Sequence, residues 1–255
     1  VVMESQIDTV ISVIEGDCSN ALALLEILRY KGIRVIPFAY PYDRDRKILK
    51  KEIRKLMDEL SVDVERLAGV EKEIKLVRTN LELIDRMTWH DKVVTGHENH
   101  IWLVCASDML GDYKNYKSMT EEFIKGVRSR KKIKGLNIGY IGVPPILLDL
   151  YEFCESIGAH VVYNETQRQY AFPQSSKNIV KRYLDYTYPY GIFHRLEDIK
   201  KEIKRRSIKG LVHYVQAFCH RVLDDVISVS YTHLRAHETP EHLVCRLLLE
   251  KQKTH

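Results

Sequence analysis

Two kinds of hydrophobic spacing alternate along this chain. Short unbroken apolar runs rich in Val, Ile and Tyr mark strands, and longer stretches with an apolar residue every three or four positions mark amphipathic helices. Ile7 to Glu15 is a run of the first kind, followed by the turn Gly16-Asp17-Cys18-Ser19-Asn20. Ala21 to Tyr30 has helical composition and is closed by Lys31-Gly32, and Ile33 to Phe38 is the next strand, ended by Pro37 and Pro41. These residues predict a β-α-β unit. Arg46 to Leu60 places Ile48, Leu49, Ile53, Leu56 and Leu60 on one side, and Glu71 to Met87 spaces Ile74, Val77, Leu81 and Ile84 by three and four. Both stretches predict helices whose apolar stripes serve as core or subunit contact. Gly96 to Asp108 mixes His97, Glu98 and His100 with an apolar run. No fourth metal ligand stands at a standard spacing from these three, so a polar loop is expected there.

After Lys134 the alternation restarts. Leu136 to Val143 reads as a strand, Ile146 to Ile157 as a helix, and His160 to Tyr163 as a strand, with Gly158-Ala159 between the last two. Gly139-Tyr-Ile-Gly142-Val-Pro144-Pro145 lacks the Gly-x-Gly-x-x-Gly fingerprint, and Pro144 removes an amide that a phosphate would need. Tyr183 to Arg195, rich in Tyr and holding Pro189 and Gly191, reads as an ordered loop over a cleft. Leu211 to Phe218, entered through Gly210 behind a basic helix, reads as a buried strand of a parallel sheet, with a helix beginning near His220. The chain is therefore α/β. Residues 1–44 are read as the end of a first α/β domain, 45–133 as a mainly helical connecting segment and 134–229 as a second α/β domain.

Composition narrows the class. The 255 residues, 45% of them hydrophobic, suffice for a packed core. No apolar run is long enough for a membrane span and no signal-peptide pattern opens the chain, so a cytoplasmic protein without a membrane partner is expected. The net charge of +5 is concentrated at Lys125 to Lys134. That run lacks interleaved aromatics and reads as a solvated linker, with no nucleic-acid partner implied.

Cysteine position carries the candidate chemistry. Cys18, Cys105, Cys154, Cys219 and Cys245 form no Cys-x-x-Cys pair, which argues against a zinc ribbon or a secreted disulfide framework. Any metal site must be assembled from distant segments. Cys18 and Cys219 each follow a strand and precede a helix. At the carboxyl edge of an α/β sheet ligands bind, and helix amides favour a thiolate or a metal-sulfur cluster. Cys154 within a helix and Cys105 within an apolar run read as core. Residues 230–255 continue neither the strand and helix alternation nor the charge pattern, and Ser230 to Lys251 resembles a translated sequencing adapter. The segment is read as a non-native tail, which takes Cys245, His233, His237 and His242 out of the inventory.

Strand-Gly-Asp-Cys18, Gly96-His-Glu-Asn-His100, Gly142-Val-Pro144, Gly158-Ala-His-Val-Val, Arg195 and Gly210-Leu-Val-His-Tyr-Val-Gln-Ala-Phe-Cys219 follow one another in an order that resembles the 2-hydroxyacyl-CoA dehydratase and benzoyl-CoA reductase family. The likeness covers roughly residues 5 to 228 and is most specific at the two Cys contexts. It implies two Rossmann-like or flavodoxin-like parallel-sheet units joined by a helical segment, with a 4Fe-4S cluster at the domain interface. Cys18 and Cys219 match the second and third of the three Cys that bind the cluster. The first is expected upstream of Val1, which makes the chain a fragment that is inactive by itself. The resemblance further implies an acyl-CoA substrate, a homologous second dehydratase subunit and a separate ATP-dependent iron-sulfur activator protein, and it leaves room for FMN.

In such enzymes the β-hydrogen of a 2-hydroxyacyl-CoA is too weakly acidic for ordinary elimination, and injection of one electron into the thioester makes a ketyl radical that expels water. The favoured reading is thus a lyase subunit. The alternatives are a non-catalytic cluster-bearing or scaffold subunit, a benzoyl-CoA reductase-type subunit, or an α/β binding protein in which Cys18 and Cys219 are small buried residues. The catalytic acid and base are left unassigned.

Overall fold

In the computed structural model the described residues are 7–16, 18–147, 149–173 and 178–215, with positions 219, 224, 227 and 228. The chain divides into two units, 1–216 and 217–255. In the second, Cys219 is half-buried outside helix and strand, Asp224, Ile227 and Ser228 are helical, and Ser228 is buried. The expected strand end at 216–218, the helix start near His220 and the tail 230–255 lie outside the described residues.

The first unit holds two small parallel sheets linked by helices. Strand β1 (Thr9–Glu15) pairs in parallel with β2 (Arg34–Ala39), and α1 (Ser19–Tyr30) is the crossover between them. Pro37 lies inside β2 rather than ending it. Arg34 N donates to Asp8 O (2.8 Å) and Tyr40 N to Glu15 O (3.0 Å). Amides of even-numbered residues therefore face β1, and the nitrogen of Pro37 points to the other side, where no ladder bond is lost.

Helix α2 (Arg46–Glu59) starts at Asp45, whose carboxylate accepts from Lys47 N and Ile48 N. Leu49 and Ile53 pack on Phe38 and Tyr40, whereas Ile48 and Leu60 are exposed, so the buried stripe is narrower than its sequence pattern. Helix α3 (Val64–Arg86) begins seven residues before the predicted start, because Asp63 caps it. One π turn (Met87–Asp91) follows, stopped by Lys92 in the left-handed region. Val77, Leu81 and Ile84 are fully buried against α4 (Gly96–Val104) and α5 (Tyr113–Val127).

Two stretches expected as loops are helical. At Gly96, Thr95 accepts from Glu98 N while the Glu98 carboxylate accepts from Thr95 N, and this reciprocal cap starts α4 inside the expected polar loop. In the Tyr-rich stretch, α8 (Ile179–Asp185) and α9 (Ile192–Arg205) leave only residues 186–191 as loop. Asn178 caps α8 through Lys181 N, and the Tyr183 ring packs on Phe38 and Tyr40, so a residue read as loop composition is held by burial.

The second sheet has the order β4-β3-β5, all parallel, from β3 (Leu136–Gly142), β4 (Ala159–Asn164) and β5 (Gly210–Tyr214). Helix α6 (Leu150–Ser156) covers one face, where Tyr151 and Cys154 meet Ile138, Tyr140 and Val161. It begins four residues later than predicted, beyond Pro144-Pro145, and Ile146 and Leu147 are exposed. Helix α9 covers the other face through Ile199, which meets Ile141, Val162 and Tyr163. Every residue of β4 is buried, but β5 is half-buried along its length and has one neighbour among the described strands, which corrects its reading as a buried strand. Cys105 packs beside the Leu81 and Leu103 cluster. Among the described residues no helix is long and apolar enough to cross a membrane.

Candidate functional site

The carboxyl ends of the two sheets are built differently. At the first, β1 stops at Glu15 and the chain turns at Gly16, whose φ is +92°. A Cβ at Gly16 would lie 2.8 Å from Pro189, so a side chain is excluded by conformation and by space. Cys18 follows as the N-cap of α1, extended and half-buried, and its carbonyl accepts from Ala21 N at 2.9 Å. No side chain caps this helix end, and its first turn holds no acidic residue. By contrast, Asp45, Asp63, Thr95 and Asp112 cap α2 to α5. Among the described residues the α1 N-terminus thus has neither a side-chain cap nor a first-turn acid, and a thiolate at Cys18 would complement its dipole.

At the second sheet the carboxyl edge is filled by polar side chains from the protein itself. The short helix α7 (Glu165–Tyr170) buries Glu165, Thr166, Gln167, Arg168 and Gln169 almost completely. Gly142 N donates to Glu165 Oε2 (2.8 Å), Thr166 Oγ1 donates to Gly142 O (2.6 Å), and Arg195 pairs with Glu165 through both Nε and Nη2. Gly142 has φ +104° and a Cβ there would fall 2.1 Å from Tyr214 O, so only glycine lets β3 finish beside β5.

A third arginine completes the network. Arg206 donates to both oxygens of Asp85 (2.8 and 2.6 Å), to Glu202 Oε2 (2.7 Å) and to Val162 O (2.8 Å). Burial opposes its charge, but the Asp85 and Glu202 carboxylates outweigh that and hold its pKa above the ordinary value. Glu202 is raised by burial and lowered more strongly by Arg168 and Arg206, ending below the ordinary carboxylate range. Arg168 likewise pairs with Asp198, which also accepts from Gln169 Nε2 (2.9 Å). Each charge here is answered, so the cluster fixes the sheet edge.

The histidine stretch enters the same polar layer. Asn164 Nδ2 donates to Gly96 O (3.1 Å) and Asn99 Oδ1 (2.8 Å), and Tyr151 donates to Asn164 Oδ1 (2.9 Å). Gln167 Nε2 lies 3.0 Å from His100 Nδ1, and burial, with His97 nearby, pushes His100 down to about 4. His97 stacks on Tyr151, while Glu98 is taken by Thr95 and Arg130. The two His rings thus pack together on Tyr151, and Glu98 is held apart from them by its cap and its ion pair. Among the described residues no three His, Cys, Asp or Glu side chains are grouped to hold a metal ion.

Sequence reasoning singles out Cys18 at the first sheet and Gly142, His100 and Arg195 at the second, but misses Asp85, Glu165, Arg168, Asp198, Glu202 and Arg206. A usable signal exists along α9 and its C-cap, where Arg195, Asp198, Glu202 and Arg206 recur at spacings of three and four beside the apolar stripe Leu196, Ile199 and Ile203. Cys18 and Cys219 fall in different units. The sequence pattern of the family described as 2-hydroxyglutaryl-CoA dehydratase, D-component, matches residues 5–227. No curated protein gives a match.

Proposed function

Because the chain belongs to the 2-hydroxyglutaryl-CoA dehydratase D-component family, we propose that it is the iron-sulfur subunit of a 2-hydroxyacyl-CoA dehydratase-like lyase. The reaction we propose is loss of water from a CoA thioester through a ketyl radical, after one-electron activation. Cys18 and Cys219 are the proposed ligands of a 4Fe-4S cluster, with a third thiolate from outside this stretch. Cys105 and Cys154 are not chosen, since both pack into apolar clusters and burial raises the pKa of each. When bound, the cluster supplies a low-potential electron and an open iron that acts as Lewis acid.

One observation carries the reading. Among the described long helices, only α1 and α9 have a first turn that no side chain caps, and Cys18 heads α1 at the end of a parallel strand, inside the family match. A thiolate there is favoured by the α1 amides and the positive end of the helix dipole. The role of Glu165, Arg195 and Gly142 is to hold the second sheet edge rigid, so that a ligand on the segment after β5 starts from a fixed strand end. A homologous second subunit and an ATP-dependent iron-sulfur activator complete the proposed enzyme in the cytoplasm.

The test is anaerobic co-expression of the full open reading frame with its neighbouring subunit gene, followed by iron and sulfide analysis and absorbance near the charge-transfer band. Cys18→Ser and Cys219→Ser should each lose most of the iron, and Cys154→Ser should keep it. Unchanged iron in Cys18→Ser would refute the ligand assignment. Turnover of a 2-hydroxyacyl-CoA by the intact pair, with the activator and ATP, separates a catalytic subunit from a scaffold.

A further inference from the structure

Away from both sheet edges, a cavity of about 490 Å³ opens between α3, the turn at 105–112 and α8. Its size lies in the range of small-molecule sites. One wall is aromatic. The Phe172 ring is 5.4 Å from Tyr183 and 5.6 Å from Tyr186, with tilted planes, so the three rings form one aromatic wall. Arg78 lies across this wall, its Cζ 5.0 Å from the centre of Phe172.

The state of Arg78 is the informative feature. Its Nε is buried and has no hydrogen-bond partner. Glu71, the carboxylate whose charge bears on Arg78, is engaged by Arg182, and no ion pair joins Arg78 to a described carboxylate. Burial, then the neighbouring Arg182, push its pKa below the ordinary value, and the opposing influence of Tyr183 and Glu71 does not make up the difference. Elsewhere the buried arginines Arg168, Arg195 and Arg206 each hold a carboxylate. The cavity rim is also strained: Met109, Leu110 and Phe172, none of them glycine, have φ of +51°, +56° and +49°. Bulky residues leave that region unless surrounding structure compels them, and such positions cluster at ligand clamps.

We infer that this cavity binds a small planar aromatic monocarboxylate, its ring against Phe172, Tyr183 and Tyr186 and its carboxylate on Arg78. One unpaired guanidinium answers one negative charge. With one arginine and one aspartate, Asp108, on the lining, the cavity carries no excess of positive charge, which disfavours nucleotides and other polyanions. Neither Cys18 nor Cys219 takes part, so this site stands whether or not the cluster assignment does.

Titration of the full chain with 2-naphthoate, followed by calorimetry and by tyrosine fluorescence, tests it. A single saturable site in the sub-millimolar range is expected, with weaker binding of cyclohexanecarboxylate, which lacks the ring faces, and of neutral 2-naphthalenemethanol, which lacks the charge. Arg78→Gln should weaken 2-naphthoate by roughly 10-fold or more, the share of one hydrogen bond to a charged group. Ser107→Trp, at an exposed position on the lining, should obstruct entry with no change in far-UV circular dichroism. The inference is overturned by absence of saturation into the millimolar range, by equal affinity in Arg78→Gln, or by AMP binding as tightly as 2-naphthoate.

Discussion

The two sheet edges use charge in opposite ways. At the carboxyl end of β3 and β4, Asp85, Glu165, Asp198 and Glu202 meet Arg168, Arg195 and Arg206 in a buried layer in which every one of these charges has an opposite partner. At the end of β1, a half-buried thiol heads a helix that no described side chain caps. The first arrangement spends its polar groups on rigidity. The second leaves a local electrostatic demand, at some cost in helix stability, where a functional anion can meet it.

That contrast predicts effects of different size and sign. The largest belongs to the buried layer. Arg206→Ala removes the only cation on Asp85 among the described residues and leaves Glu202 with Arg205 alone, and it should cost about 3 to 5 kcal/mol in urea unfolding, the range for breaking a buried ion pair. Arg206→Met, which refills the volume, should still lose most of it because both carboxylates remain. A loss under about 1 kcal/mol would show that water reaches the layer and that the contrast is false.

The next effect is pH-dependent and also belongs to the second sheet. Burial pushes His100 and His160 down to about 4, from an ordinary value of 6.5. The unfolded chain therefore takes up protons first, so the stability from keeping both rings neutral is complete above about pH 6.5 and lost as the pH falls toward 4. Each contributes up to about 3 kcal/mol by that linkage. Unfolding free energy measured from pH 7 to 4 should fall accordingly, and His100→Gln should flatten the slope over that window while that of the parent protein stays steep.

Cys18 gives the smallest effect, with reversed sign. A serine hydroxyl accepts from helix amides better than a thiol, so Cys18→Ser in the metal-free chain should raise stability by about 0.5 to 1 kcal/mol. The urea midpoint reads it directly. A loss of similar size would mean that the thiol acts as core, and the two edges would then differ in composition alone.

Much of the fold is legible in local chemistry along the chain. Val, Ile and Gly spacing marks β1, α1 and β2, and the restart at Leu136 marks β3 and β4, because strand runs and glycine turns are decided by neighbours in the sequence. Cys18 stands out for the same reason: a turn between strand and helix fixes where its side chain stands. Caps are equally local but escape a reading by hydrophobic period, since Thr95 with Glu98 spells the start of α4 in four residues without an apolar signal.

Tertiary structure decided what burial does to polar residues. Glu165-Thr-Gln-Arg-Gln has the composition of a surface turn, yet it is the most completely buried polar run among the described residues, because partners about 30 positions away, Arg195 and Asp198, supply its counter-charges. Arg78 is the converse, a helix residue like its neighbours until the fold leaves its guanidinium beside Phe172 without a carboxylate. Hydrophobic period is set along the chain, whereas the pairing of charge is set through space. The sequence thus determined the strands, the turns and the place of Cys18, and only the packing of distant segments determined which charges are satisfied and which await a ligand.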